Sequence, residues 1–447
     1  MRIDIPDNAN SILKILHDNG YEAYVVGGCV RDACLKKTPN DWDITTNARP
    51  ERVKELFTKT IDTGLQHGTV TVRMNHESYE VTTYRVDGDY TDHRRPDKVT
   101  FSMSLAEDLK RRDFTINAMA YNDEEGLIDY YDGIGDLNKG IIRAVGNAYE
   151  RFDEDALRIL RAMRFAAQLG FSIEEETKKA MSDKAEFLRD ISVERIREEL
   201  TKLLISDHPR LLYEDGYKLG ITKIILPEFD EMINTTQENP HHCYNVGMHS
   251  LVAVENIEAD STLRWAAFLH DVGKPKTKTM DEEGKCHFYD HANVGEPIAA
   301  SIMTRLKFDN ESIRRVKKLV FYHGYNWGDK LSDKVIRRAT NKVGKEYMED
   351  LFKLQKADVL AQSELLREEK LALLSAIADR YRQMLKEEQP MSLSDLAVNG
   401  NDLIKAGIKP GPKIGAILSN FLDLVIENPE LNSREELISR VENLINE

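Results

Sequence analysis

At 447 residues the chain exceeds what one core organises, and it calls for several domains of ordinary size. A hydrophobic share of 41% and a charged share of 31% exclude a disordered chain, and no apolar run approaches the ~20 residues that span a bilayer. The net charge of −15 excludes a basic surface that coats nucleic acid at random, but leaves room for an enzyme whose cations line one cleft. Cys29, Cys34, Cys243 and Cys286 are scattered and form no CxxC pair. With no leader-like charged start or apolar middle at the N-terminus, a reduced, cytoplasmic protein is expected.

In chain order, "EAYVVGG" reads as an apolar strand running into Gly27 and Gly28, and "WDITT" as a short strand. On that strand Asp41 and Asp43 leave one face while Trp42 turns toward a core. "RPERVKELF" has helical spacing behind a Pro. "TVTVRM" and "ESYEVTTYR" alternate with period two and predict a hairpin across "NH". "VDGDYTDHRRPDKV" lacks periodicity and reads as a mobile loop. From about Glu154 the pattern turns helical. "EDALRILRAMRFAAQLG" gathers Leu157, Leu160, Met163, Phe165 and Ala166 near one side, and Ser192 is a candidate cap for "SVERIREELTKLLIS". Breaks come at "QENPHH", "MDEEGKCHFYDH" and "EEQPMSLS". The expected fold is a mixed α/β head with a small mixed sheet, followed by an elongated all-α body. The expected divisions are a catalytic head (1–140), a helical neck (141–235), a third helical domain (236–375) and a helical tail (376–447).

Two carboxylates at the spacing of Asp41 and Asp43 can hold a hard divalent cation. Glu80, on a neighbouring strand, is the candidate third ligand of a two-metal arrangement. Gly27 and Gly28 let backbone approach a triphosphate, and Arg31 lies within reach as a phosphate fork. Taken singly, these are also an ordinary tight turn and a solvated acidic pair.

The combination is more specific. "RRDFTINAMAYN", "DGIGDL" and "EDALRILRAMRF" follow the Gly-Gly and Asp-Trp-Asp elements in order. Over roughly the first 200 residues the sequence resembles the class II tRNA nucleotidyltransferases, the CCA-adding enzymes and their poly(A) polymerase relatives. The resemblance implies that Asp41 and Asp43 bind catalytic Mg²⁺, that Gly28, Arg31 and Arg112 contact the incoming nucleotide, and that Asp113 and Asn117 organise its ribose side. It also implies that Asp155 and Arg158 are a protein template for CTP and ATP, with Arg161 and Arg164 as further contacts. tRNA is the implied partner, with no membrane.

A physical reading supports the template. Within one helix, Glu154, Asp155 and Arg158 would meet on one face. They would offer an acceptor beside a donor fork, matching the amine and unprotonated ring nitrogen of cytosine and adenine. Uracil and guanine present the opposite polarity. A salt-bridged helix face over an apolar core is the plain alternative.

"DTGLQHGTVTV" is closer to the CCA-adding pattern than to the Arg-rich element of poly(A) polymerases. "YRVDGDYTDHRRPDKVTF" resembles the flexible loop of enzymes that add the terminal A, which puts CC-only addition second; an A-only adder or a poly(A) polymerase is a runner-up in the same chemistry. "GNDLIKAGIKPGPKIG" resembles the tail of Gram-positive CCA-adding enzymes, where Lys405, Lys409 and Lys413 could meet tRNA phosphates or merely cover a solvated surface.

Seven of the 12 histidines fall between His241 and His323. "HDVGKP" after an apolar helix, with His249 upstream and Asp358 downstream, resembles the HD phosphohydrolase superfamily. That resemblance implies a metal on His249, His270, Asp271 and Asp358, with His291 and His323 where some relatives hold a second ion and Lys274 set to neutralise a phosphate. Such ligands suit Mn²⁺, Ni²⁺ or Co²⁺. The alternatives are a metal that only braces the helices, or a chain that is mainly a hydrolase with a nucleotide-sensing head. The oligomeric state is not legible in the sequence.

Overall fold

The apolar run Ala23–Val26 forms strand β1, buried throughout, because it lies in the middle of the head sheet with neighbours on both edges. The computed structural model describes residues 2–64, 68–87, 99–238, 243–328 and 331–446, and the chain divides into two units, Met1–Pro227 and Glu228–Glu447.

In the first unit, helix α1 (Asp7–Asp18) precedes β1, and α2 (Gly28–Cys34) follows it directly. Next come β2 (Ile44–Thr46), α3 (Pro50–Leu56) with its Pro in the first turn, β3 (Thr60–Gly64), β4 (Thr69–Met74) and β5 (Glu77–Thr83). β4 and β5 pair antiparallel, and Asn75 and His76 turn between them at φ 47° and 71°, as a two-residue hairpin requires. The expected hairpin therefore forms where its period and turn residues placed it.

The expected loop is corrected at its ends. β6 (Arg85–Asp87) and β7 (Val99–Phe101) pair antiparallel, because backbone ladders form there without any side-chain period. The loop between them lies outside the described residues.

After α4 (Leu105–Lys110) the chain adds β8 (Met119–Asn122) and β9 (Gly126–Asp129). Seven strands then stand in the order β3-β4-β5-β2-β1-β8-β9, with β2 and β5 parallel. Tyr24, Val26, Tyr84, Leu105, Leu109 and Ala120 form the core that packs α4 beside this sheet.

The helices of the first unit continue with α5 (Gly133–Lys139), α6 (Ala148–Glu154), α7 (Leu157–Leu169), α8 (Glu175–Asp183), α9 (Val193–Leu204) and α10 (Thr222–Ile225). Ser192 occupies the position before α9 but makes no capping hydrogen bond among the described residues, so the expected cap is not formed.

Apart from a short antiparallel pair, Thr279–Met280 with Cys286–His287, the regular structure of the remaining described residues is helical: α11 (Pro227–Ile233), α12 (Val246–Glu255), α13 (Ser261–Leu269), α14 (Lys274–Thr277), α15 (His291–Arg305) and α16 (Asn310–Tyr322). These are followed by α17 (Asp333–Val343), α18 (Lys345–Ala361), α19 (Arg367–Lys386), α20 (Gly400–Lys405), α21 (Pro412–Glu427) and α22 (Arg434–Asn446). Asn245, Asp260 and Asp309 cap α12, α13 and α16 by accepting the N–H of Met248, Leu263 and Ser312. The fold is thus a mixed α/β head followed by a helical body. Among the described residues no helix is long and apolar enough to cross a membrane.

Candidate nucleotide site and candidate metal centre

The acidic pair does not ride on a strand as expected. β2 begins at Ile44, and Asp41 and Asp43 lie in the segment entering it, with Trp42 half-buried between them. Asp43 still belongs to the ladder, since its carbonyl accepts the N–H of Val26 at 3.0 Å. The parallel register pairs Ile44 with Val81, so one step back sets Asp43 beside Glu80. Ile44 and Val81 are buried, whereas Asp43 and Glu80 are exposed on the opposite face. Surrounding protein mass raises the Asp43 carboxyl above the usual carboxylate range; Arg112 opposes this, while Glu80 and Asp41 add to it. An acid that meets water and is still desolvated lies in a cleft.

Above this cleft, Gly27 adopts φ 81°, and a Cβ on it would come within 3.0 Å of Arg112 Nη1. Only glycine fits there. Arg31, buried, donates to Asn117 Oδ1 at 2.8 Å, and Asn117 donates to Asp113 Oδ1 at 3.1 Å. Arg161 donates to Asp113 Oδ2 through Nε and Nη2 at 2.8 and 2.6 Å. Burial would raise the Asp113 carboxyl, but the Arg161 guanidinium and Asn117 hold it well below the usual range. Gly28, Arg31, Arg112, Asp113, Asn117, Arg161 and Arg164 therefore fall in one neighbourhood.

The "EDALR" element is a second correction. It is not one helix: α6 ends at Glu154, Asp155 is extended at φ −141°, and α7 starts at Leu157. The break follows from Asp155 itself, whose Oδ1 accepts the Leu157 N–H at 3.0 Å and so competes with continued helix. Asp155 consequently pairs with Arg195 at 2.8 Å, while Arg158 pairs with Glu154 at 2.5 Å and donates to the Arg111 carbonyl at 2.8 Å. Glu154 and Arg158 meet as expected; Asp155 and Arg158 do not.

Several participants escaped the sequence reading. The Phe165 ring, read as core, has guanidinium carbons of Arg164, Arg31 and Arg161 at 3.9, 5.1 and 5.4 Å from its centroid. The i, i+4 spacing of Arg161 and Phe165 was the available signal. Asp108, fully buried, pairs with Arg111 and Arg112 at 2.8 and 3.4 Å and accepts from Thr45 at 3.1 Å. Its i+3 and i+4 arginines were equally visible. Glu199, the buried partner of Arg164, is remote in sequence and carried no such signal.

In the second unit, His249 lies on α12 and Asp358 on α18, His291 opens α15, and Lys274 opens α14. His270, Asp271 and His323 stand just past the ends of α13 and α16 rather than inside helices. The Nδ1 atoms of His270, His291 and His323 each lie 2.7 Å from a carbonyl one turn back, and that of His249 lies 3.3 Å from the Ala361 carbonyl. That arrangement turns every Nε2 inward, as metal ligation requires.

Two ligand groups result: His249, His270 and Asp358, and Asp271, His291 and His323, with the atoms of each within 4.8 Å of one another. Asp271 spans both, its Oδ2 3.3 Å from His270 and its Oδ1 3.6 Å from His291 and from His323. Lys274 meets Asp271 Oδ2 at 2.7 Å and donates to Gln237 at 2.8 Å. A Cβ on Gly273 would strike the His291 carbonyl at 2.1 Å, so the small residue after "HDV" admits the start of α15. Among the described residues no third such group occurs; the head carboxylates interact electrostatically without closing to that distance. Lys405, Lys409 and Lys413 are exposed at the α20–α21 turn.

Residues 23–143 match the model described as "Poly A polymerase head domain", 170–233 the "Probable RNA and SrmB- binding site of polymerase A", and 276–441 a tRNA nucleotidyltransferase domain 2. A CCA-adding enzyme of Lactobacillus delbrueckii subsp. bulgaricus is 37% identical over 428 residues, 95% of each chain. That of Leuconostoc mesenteroides is 38% identical over 451 residues, 98% of this chain and 97% of its own. The crystal structure of the Bacillus stearothermophilus CCA-adding enzyme in complex with CTP superimposes with a TM-score of 0.72 at 28% identity, over 98% of this chain and 97% of that one. With a curated relative above one-third identity along nearly its whole length, this chain belongs to the CCA-adding enzyme family of tRNA nucleotidyltransferases.

Proposed function

We propose that the first unit adds or repairs the 3′-terminal CCA of tRNA from CTP and ATP, with no nucleic-acid template. The observation that carries this reading is the interlocked set of Gly27, Arg31, Arg112, Asp113, Asn117 and Arg161 beside the Asp43–Glu80 cleft. Mg²⁺ held by Asp41 and Asp43, with Glu80 alongside, would supply the Lewis acid for attack of an RNA hydroxyl on the α-phosphorus. Arg31 and Arg112 serve as phosphate forks where Gly27 and Gly28 open the backbone. Asp113 and Asn117 fix the ribose side.

On this reading Asp155, in the α6–α7 break, and Arg158, on α7, offer an acceptor and a donor to a base edge that displaces their contacts with Arg195 and Glu154. Cytosine and adenine satisfy both; uracil and guanine mismatch both, at a cost on the order of 10⁴ in kcat/KM. Labelled CTP, then ATP, on tRNAs ending at the discriminator, C or CC tests this. Completion of CCA on all three is expected. Addition confined to A or to CC, or open-ended A tails, would overturn it in favour of a partial adder or a poly(A) polymerase.

A second reading covers the second unit: an HD-type phosphohydrolase using a transition metal such as Mn²⁺, Ni²⁺ or Co²⁺. It is favoured by the inward Nε2 atoms of His249, His270, His291 and His323 around Asp271 and Asp358. The proposed substrate is a 2′,3′-cyclic or terminal phosphate at a damaged tRNA end, whose removal restores a hydroxyl for the head to extend. Lys274 balances its charge. If Asp271→Ala stops nucleotide addition as completely as Asp43→Ala, the two activities are not separate.

The proposed divisions are 1–140, 141–235, 236–375 and 376–447. A separate apolar cluster of Val398, Leu403, Ile417, Phe421 and Leu437 supports the last, with its exposed lysines facing RNA phosphates.

A further inference from the structure

Two cavities adjoin on α16. One, of about 460 Å³, is lined by Glu296, Arg314, Lys317, Lys318, Phe321 and Tyr322. The other, of about 330 Å³, shares Phe321 and Tyr322 and adds His291, Tyr325 and Lys342. His291 belongs to the metal centre, so the second cavity opens on that centre and the first leads away from it.

The lining is unusual for this chain. Arg314, Lys317, Lys318 and Lys342 outnumber Glu296 and Asp290, in a protein of net charge −15. Phe321 is left 38% exposed, edge-on to Tyr322 at 4.7 Å. Lys318 Nζ lies 5.4 Å over the Tyr322 ring and donates to the Lys342 carbonyl at 3.1 Å, while Lys317 pairs with Glu296 at 3.0 Å. An exposed aromatic wall with cations along it stacks a base of any identity while holding its phosphate.

We propose, resting on the phosphohydrolase reading, that this trough on α16 seats a nucleobase bearing a 2′-, 3′- or cyclic phosphate and delivers that phosphate to the centre at His291. Phe321 stacks the base with Tyr322 edge-on beside it, Lys342 in the cavity that opens on His291 holds the phosphate, and Lys317 and Lys318 add positive charge along the trough. Such a group occurs on a free nucleotide and at an RNA end.

The test uses the full chain with CTP saturating the head, and 2-aminopurine fluorescence, which falls when the base stacks. The probes are 2-aminopurine riboside 3′-phosphate and a short oligoribonucleotide ending in the same residue. Saturable quenching is expected with at least one of them; the oligonucleotide identifies an RNA end, the mononucleotide alone a free nucleotide. Phe321→Ala weakens binding about tenfold, in line with the worth of one stacked base, whereas Phe321→Tyr retains it. Lys318→Glu weakens it as well, with circular dichroism confirming each fold. Absence of quenching in the wild type, or wild-type binding by both Phe321→Ala and Lys318→Glu, would overturn the trough.

The hydrolase reading is scored separately on the Mn²⁺-loaded wild type with bis(p-nitrophenyl) phosphate, which carries no base. Hydrolysis without quenching sinks the trough alone; quenching without hydrolysis sinks the hydrolase.

Discussion

Replacing Arg161 by Met strands a carboxylate, and the structure fixes how badly. Asp113 Oδ1 keeps the Phe114 N–H at 2.8 Å and Asn117 at 3.1 Å, but Oδ2 loses both Arg161 donors. Breaking a wholly buried ion pair costs about 3–5 kcal/mol. Here the Asp113 side chain is 7% exposed and that of Arg161 36%, so water can reach the vacated side and the loss shrinks to about 2 kcal/mol. For a unit of this size that lowers the melting transition by about 4–8 °C in calorimetry at pH 7.

The pH dependence has a definite sign. Asp113 sits below the ordinary carboxylate range when folded, so its contribution is complete above about pH 4 and is lost as pH falls toward the folded value. The gap between wild type and Arg161→Met should hold from about pH 5 to 8 and narrow below about pH 4. Adding Asp113→Asn removes the stranded charge, and the double variant should recover at least about half the loss. A double variant melting at or below Arg161→Met refutes the stranded-charge reasoning.

Asp43→Asn should lower CTP incorporation on the order of a thousandfold in single-turnover assays, with the melting transition held or raised, since the crowded acid is relieved. Gly27→Ala forces a side chain into φ 81° and against Arg112, and should raise KM for CTP about tenfold or more. Elemental analysis after Mn²⁺ or Co²⁺ loading, in an Asp41→Ala/Asp43→Ala background that empties the head, should find two ions per chain, one when His323→Ala is added and none when Asp271→Ala is added, since Asp271 touches both groups. Two ions retained in Asp271→Ala would remove the bridging role.

Legibility in the sequence followed the range of the interaction. The hairpin was readable because period two and its turn residues are local, and α3 because Pro50 opens it. The six candidate metal ligands were named through the HD resemblance rather than through any period, and their side chains gather in two groups. What failed were contests between local and tertiary partners. Asp155 looked helical by pattern, but its carboxylate takes the Leu157 N–H and then Arg195, forty residues away. Asp41 and Asp43 looked like strand, yet pairing to β5 starts only at Ile44. Phe165 looked like core because an aromatic on an apolar helix face usually is, and no period announces that three guanidiniums will lie around it.

The helix α7 carries the consequence. Arg158, Arg161 and Arg164 recur every three residues along it, an arrangement that like-charge repulsion disfavours on an isolated helix. Each is neutralised by a carboxylate from a different element: Glu154 at the end of α6, Asp113 after α4, and Glu199 on α9. The arginine row therefore exists only when all of these elements have packed, and the proposed pocket cannot preform ahead of the fold. Loss of one carboxylate releases one guanidinium while two stay anchored, because the partners are separate. Weakening of the network should accordingly register in the choice between CTP and UTP before it registers in global unfolding, since a donor fork displaced by an ångström mispairs a base edge long before the core that carries it melts.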